Sequence, residues 1–386
     1  MKELQLLIKP VSSACNLACR YCFYLDEAGH RQMGDCGRMT EETAKIVIEK
    51  ALAAAQTCVF GFQGGEPALA GLPFFEMFYA WVEKLKKPDQ QVYYTLQTNG
   101  TLLDEAWMRF LKKTRTLVGL SMDGVRKTHD ENRRGRDGEG TFSEVFDTAQ
   151  RLKQEGIPFH ILCVLTAETA ARIEAIYRFF MRKGYLYQQY IPCLDPLGER
   201  RGKEPYSLTP ALYEEALKKL FDLWYEDKVK GVPVYLRQFE NYVDMLLGGQ
   251  PEACSMYGQC SMQNVIESDG TVYPCDFYAL DEYQMGNLTD PELTFEFLQQ
   301  KANAKEKGSF FETAGKRDDR CPGCRWYPLC RGGCRRDCYR IDGREKNYYC
   351  EAFQGFFAYA ESRLELLADV RSRGRILSAA ARFSCL

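Results

Sequence analysis

Residues 4–24 read LQLLIKPVSSACNLACRYCFY. The run Leu4–Ile8 is short and almost continuously apolar, the pattern of a strand buried on both faces. Cys15, Cys19 and Cys22 follow it with the spacing C-x3-C-x2-C. Three thiols therefore share one loop at the C-terminal end of the first strand, where ligands collect in α/β sheets and barrels. Three thiolates suit a 4Fe–4S cluster whose fourth iron stays open. A closed zinc site wants a fourth Cys or His, and none is near.

Working outward, β-rich runs alternate with amphipathic stretches. Strands are expected at Leu4–Ile8, Val59–Gln63, Val92–Thr98, Leu117–Met122, Phe159–Leu165 and Tyr187–Ile191. Helices are expected at Thr40–Ala55, Pro73–Leu85, Asp104–Lys112, Thr141–Glu155 and Ala167–Lys183. Thr40 and Asp104 are capping residues at helix starts. Such alternation implies parallel βα units, in an open sheet or a barrel. After a Pro-, Gly- and charge-rich connection at Asp195–Pro210, helices fit Pro210–Lys230 and Leu236–Leu247. Glu267–Pro274 reads as a hairpin turning at Asp269-Gly270. A last helix is expected at Ala352–Val370, and the tail 371–386 is expected to be disordered.

The 386 residues include 17 cysteines and only 3 histidines, with 51 basic against 53 acidic residues. That balance asks for neither nucleic acid nor anionic lipid as a partner. No secretory signal and no membrane-length apolar run occurs, which points to the cytoplasm, where thiols stay reduced. The cysteines then read as metal or redox ligands, not as a disulfide framework. His30, His129 and His160 lie too far apart for an H-E-x-x-H zinc helix, and neither a G-x-S-x-G elbow nor a phosphate loop occurs.

Further motifs follow at successive strand ends: Gln63-Gly64-Gly65-Glu66-Pro67, Gln97-Thr98-Asn99-Gly100, and Gly119-Leu120-Ser121-Met122-Asp123-Gly124, then His129-Asp130 and Asn132-Arg133. With the cysteine motif and its aromatic Tyr21, they resemble radical S-adenosylmethionine enzymes, which implies a partial (β/α)6 TIM-like barrel. Glycines admit close backbone approach, Glu66 can pair with an ammonium, and Arg133 with Ser121 can hold a carboxylate. The resemblance assigns Gly64, Gly65, Glu66, Ser121 and Arg133 to the amino-acid part of S-adenosylmethionine. It places the adenine near Tyr21 and Leu194.

A second set of cysteines lies C-terminal: Cys254, Cys260, Cys275, Cys321, Cys324, Cys330, Cys334 and Cys350. Spacing alone fits two zinc ribbons as well as iron–sulfur sites. The set resembles the SPASM domain of peptide-modifying radical enzymes. By that resemblance Cys254, Cys260, Cys275 and Cys334 hold an inner 4Fe–4S cluster, and Cys321, Cys324, Cys330 and Cys350 an outer one, three clusters in all. The implied domains are 1–235, a radical barrel with its connecting helix, and 236–370, the auxiliary-cluster domain. Cys36, Cys58, Cys163, Cys193, Cys338 and Cys385 need no ligand role, although Cys338 follows Cys334 closely enough to be an alternative ligand.

The strings FQGGEPALAGLPFF, LQTNGTLLDE, ESDGTVYPCDFY and CRWYPLCRGGCRR are similar to those of anaerobic sulfatase-maturating enzymes, over about residues 4–370. The resemblance implies oxidation of an active-site Cys or Ser of a sulfatase polypeptide to Cα-formylglycine through a 5′-deoxyadenosyl radical. It makes Asp276 the general base, with electrons leaving through the auxiliary clusters and a flavodoxin or ferredoxin as donor. Tyr24, Gln63 and Gln97 share the strand-end face and are candidates for the peptide pocket. Two rivals stay open at this stage: thioether or carbon–carbon crosslinking of a ribosomal peptide on the same scaffold, and a non-catalytic zinc-binding scaffold.

Overall fold

A computed structural model describes residues 1–314, 318–341 and 344–383. They fall into two compact units. The first comprises Met1–Cys163, Leu194–Arg200 and Ser261–Thr313; the second comprises Val164–Cys193, Arg201–Cys260 and the described residues from Ala314 onward.

In the first unit, β1 (Glu3–Ile8), β2 (Thr57–Phe62), β3 (Gln91–Thr98), β4 (Leu117–Ser121) and β5 (Phe159–Leu165) pair in parallel in that order. Each expected strand forms within about two residues of its expected ends, because its apolar run must be covered on both faces. The intervening helices cover the sheet. Glu41–Ala54 buries Ala44, Val47, Ile48 and Ala51, and Thr40 Oγ1 caps it by accepting from Thr43 N at 3.1 Å. Asp104 caps Glu105–Thr114 in the same way, through Trp107 N at 3.0 Å.

The second unit holds β6 (Tyr187–Pro192) and β7 (Tyr235–Leu236), paired in parallel. The chain then returns to the first unit with β8 (Val265–Ile266), β9 (Thr271–Tyr273) and β10 (Gly286–Asn287). β8 pairs in parallel with β1 and antiparallel with β9, and β9 pairs antiparallel with β10. The first unit's sheet is therefore open and mixed, and β1 lies inside it. Residues 261–313 were expected in the C-terminal domain, but they pack with the N-terminal strands. The reason is the free edge of β1: Leu7 N donates to Asn264 O at 3.1 Å and Lys9 N to Ile266 O at 2.8 Å, so the returning segment satisfies that edge. The hairpin turns where expected, with Gly270 at φ +90° and Thr271 N bonded to Asp269 Oδ1.

The expected helix Ala167–Lys183 is two helices, Ala167–Ala171 and Ile173–Lys183. Thr166 and Thr169 form a reciprocal cap on the first, and Arg172 leaves helical geometry at φ −113°. The restart buries Ile173, Ile176, Tyr177 and Phe180. In the second unit, Pro210–Val229 packs on the last helix, Cys350–Phe383, through Phe221 and Phe356, and Phe239 of the helix Arg237–Leu246 packs against both. That helix continues past Val370, through most of the tail expected to be disordered; residues 384–386 lie outside the described residues. Among the described residues no helix is long and apolar enough to cross a membrane.

Candidate active site

The C-terminal ends of β1 to β4 carry the motifs. The cysteine loop after β1 is held by the loop after β2: Gly65 N donates to Ser12 O at 3.0 Å and Glu66 N to Ala14 O at 2.8 Å. A Cβ on Gly65 would run into the carbonyl oxygen of Ala14. One on Gly64, whose φ is +112°, would lie 2.9 Å from both Lys9 Cγ and Ser12 O. In the structure the groups they approach are the chain's own cysteine loop and the stem of Lys9.

Glu66 is buried, and its carboxylate accepts from Ala68 N at 3.0 Å, Thr98 Oγ1 at 2.8 Å and Asn99 N at 2.7 Å. It therefore stitches the loops after β2 and β3 together. Burial pushes its pKa up against these hydrogen bonds. Asn99 was not singled out from sequence. Its amide donates to Asn16 Oδ1 at 2.9 Å and reaches Cys15 Sγ at 3.9 Å.

Arg133 is buried beside Asp123, with Nε donating to Oδ2 at 3.1 Å. Tyr21 Oη donates to the same carboxylate oxygen, and the guanidinium lies 5.4 Å from the Tyr21 ring centroid. Arg133 Nη1 stands 4.0 Å from Cys19 Sγ. Asp123 was quoted within a motif but given no role. A buried arginine needs a buried counter-charge, and that need could have singled it out. His129 supports the group: Asp123 N donates to Nδ1 at 3.3 Å, so the ring proton sits on Nε2 and is donated to Thr141 Oγ1 at 3.1 Å. Burial, with Arg133 and Arg126 nearby, lowers the His129 pKa to about 3. Ser121 accepts from Gln97 Nε2 at 3.0 Å, and Leu194 is half-buried in the same unit.

Burial pushes the Cys19 thiol up to about 12, partly offset by Arg133, and raises Cys15 and Cys22 as well. The three thiols also interact electrostatically with one another, so they stay protonated unless a cationic centre draws off their protons.

Tyr24 and Asp276 meet directly, with Oη donating to Oδ2 at 2.8 Å. Asp276 N is held by Gln263 Oε1 at 2.9 Å. Oδ1 is shielded from solvent and has no hydrogen-bond partner among the described residues, although Gln63 is close enough to favour the charged form. Burial raises the Asp276 pKa, against the pull of Lys9, Tyr24 and Gln63. Lys9, which the sequence reading passed over, is buried beneath this pair.

In the second unit, Cys330 lies within electrostatic range of Cys350, Cys321 and Cys324, and its thiol is pushed up to about 12, chiefly by burial. Cys334 is grouped with Cys254 and Cys260. Cys275 precedes Asp276 in the first unit. No disulfide joins the cysteines among the described residues. Among the described residues no three Cys, His, Asp or Glu side chains converge on a single-ion site.

Residues 10–180 match the radical SAM superfamily, and residues 254–332 match the SPASM iron–sulfur cluster-binding domain. The chain is 45% identical over 372 residues to a cysteine-type anaerobic sulfatase-maturating enzyme of Clostridium perfringens, covering 96% of this chain and 99% of that protein. The chain belongs to the anaerobic sulfatase-maturating enzyme family. A serine-type anaerobic sulfatase-maturating enzyme of Bacteroides thetaiotaomicron is 27% identical, over 95% of this chain and 91% of that protein. The solved structure of native anSMEcpe with bound AdoMet and Kp18Cys peptide superposes with a TM-score of 0.88 at 42% identity, covering 95% of this chain and 99% of that one. The radical SAM fold with a SPASM domain is thus that of the anaerobic sulfatase-maturating enzymes.

Proposed function

We propose that this enzyme oxidises a sulfatase cysteine to Cα-formylglycine, with Asp276 as the proton acceptor. The observation that carries the reading is the Tyr24–Asp276 pair: a half-buried carboxylate, one oxygen fixed by a phenol and the other shielded from solvent with no hydrogen-bond partner among the described residues. The preference for cysteine over serine rests on the relatives at 41–45% identity, which are cysteine-type enzymes.

Cys15, Cys19 and Cys22 would hold the open cluster, and the eight C-terminal cysteines would hold two closed 4Fe–4S clusters. Bound S-adenosylmethionine and these clusters supply hydrogen-atom abstraction from the substrate Cβ and a sink for the remaining electron. The remaining proton falls to the chain's own residues. Unperturbed, a carboxylate near 3.9 facing a thiol near 8.5 makes the transfer uphill by ~6 kcal/mol. Burial of Asp276 narrows that gap, and loss of the Cβ hydrogen makes the thiol more acidic. Tyr24 orients Asp276; Gln63 and Gln97 line the peptide path. Water then adds to the resulting C=S carbon and the sulfur leaves as hydrogen sulfide, giving the aldehyde. Arg133 and Ser121 would receive the carboxylate of S-adenosylmethionine, Tyr21 and Leu194 would flank its adenine, and Glu66 sets the strand-end loops that would surround its amino-acid part. A cytoplasmic flavodoxin or ferredoxin supplies electrons.

The test is anaerobic turnover of a Cys-x-Pro-x-Arg peptide, with product mass and 5′-deoxyadenosine measured together. Asp276→Asn is expected to keep cleaving the cofactor and to lose aldehyde by about 100-fold or more. Unchanged aldehyde formation in that variant would remove Asp276 from the mechanism.

A further inference from the structure

Lys9 directly follows β1, a strand inside the sheet, and is almost wholly out of solvent at 3% exposure. Burying an ammonium is costly unless it is paired. Here its Nζ lies 3.5 Å from Glu267 Oε1, 4.0 Å from Glu27 Oε2 and 5.0 Å from the centroid of the Tyr24 ring. The Tyr24 hydroxyl in turn holds Asp276, whose carboxylate also interacts electrostatically with Lys9. Both glutamates are fixed from elsewhere. Arg31 Nη1 donates to Glu267 Oε1 at 2.6 Å, and Glu27 Oε1 accepts from Ala279 N at 3.2 Å. Gly64 leaves room for the lysine stem, since a Cβ there would lie 2.9 Å from Lys9 Cγ. Three carboxylates, Glu27, Glu267 and Asp276, thus surround one ammonium that lies over the Tyr24 ring.

We propose that Lys9 is a positioning residue of the reaction, fixing the Tyr24 ring and the Asp276 carboxylate as one unit facing the peptide. Glu27, Glu267 and Arg31 hold the ammonium in place, and Lys9 acts through Tyr24 and Asp276 without meeting the substrate. The inference rests on the reading of Asp276 as proton acceptor. A plain structural salt bridge would need only Lys9 and Glu267, and the two possibilities differ in what replaces the charge.

The experiment compares Lys9→Met, the charge-balanced pair Lys9→Met/Glu267→Gln, and Asp276→Asn in the reconstituted full chain. Iron content, peptide KM, 5′-deoxyadenosine and aldehyde are measured for each. Lys9→Met is expected to keep its iron and its cofactor cleavage. Its aldehyde yield per 5′-deoxyadenosine should fall about 100-fold, the scale of a small misplacement of a catalytic group, while the peptide KM changes less than about threefold. The charge-balanced pair should be equally uncoupled. Wild-type coupling in Lys9→Met, or its recovery in the pair, overturns the proposal, since Lys9 would then only balance Glu267. Loss of iron in both variants also overturns it, because Lys9 would then serve the fold. Full coupling in Asp276→Asn refutes the proton-acceptor reading separately, whatever the Lys9 variants do.

Discussion

Gly65→Ala tests whether the second glycine serves the cysteine loop or a ligand. The added methyl would meet the Ala14 carbonyl oxygen, one residue before Cys15, and backbone cannot swing aside as a side-chain tip can. Overpacking of this kind costs about 1–3 kcal/mol. The shift also strains Gly65 N to Ser12 O and Glu66 N to Ala14 O, each worth about 1 kcal/mol. A total near 3 kcal/mol multiplies the population of displaced loop by roughly 100-fold. The assay is iron and sulfide content after anaerobic reconstitution, together with cofactor cleavage. Gly29→Ala is the control, because a Cβ there meets nothing within 4 Å. Gly65→Ala should lose about four of about twelve irons and all cofactor cleavage, while Gly29→Ala keeps both. Full iron content with wild-type cleavage in Gly65→Ala would refute the packing argument. Full iron content with only a raised KM for S-adenosylmethionine would return the glycine to the ligand.

Glu66→Gln puts an amide NH2 where three donors converge, so one donor loses its acceptor. The expected cost is about 1–3 kcal/mol of stability, with weaker cofactor binding as the joined loops separate; calorimetry with S-adenosylmethionine measures both, and unchanged binding would contradict the stitching role. His129 is held neutral, with a folded pKa of about 3 against 6.5 unfolded, so the unfolded chain binds more protons between those values. Stability contributed above pH 6.5 is therefore lost as pH falls, by about 2 kcal/mol between pH 6.5 and 5. His129→Gln should flatten that part of the urea-midpoint profile, and an unchanged slope would contradict the assigned neutral ring.

Strand positions were legible because β1 to β5 are short apolar runs between amphipathic helices. The three-thiol loop was legible because its ligands are adjacent in sequence. Two features depended on contacts that spacing does not encode. The pairing of β8 with β1 joins residues about 260 positions apart, and it carries Glu267 and Asp276 to the end of β1. The sequence shows no partner for Asp123 or Lys9; their meaning comes from burial beside Arg133 and Tyr24 respectively. The break at Arg172 was hidden because the reciprocal cap of Thr166 and Thr169 is a local device, while the apolar periodicity continues through the break. Tolerance for close approach at Gly64 and Gly65 is visible in sequence, but the cysteine loop packed against them is not.

The central claim is that a substrate Cβ hydrogen is removed and an aldehyde left in its place. Turnover of a Cys-x-Pro-x-Arg peptide deuterated at the cysteine Cβ tests it most directly. One deuterium should appear in 5′-deoxyadenosine, and one should remain on the formyl carbon of the product. Deuterium-free 5′-deoxyadenosine, or a crosslinked peptide that keeps its sulfur, would contradict the account.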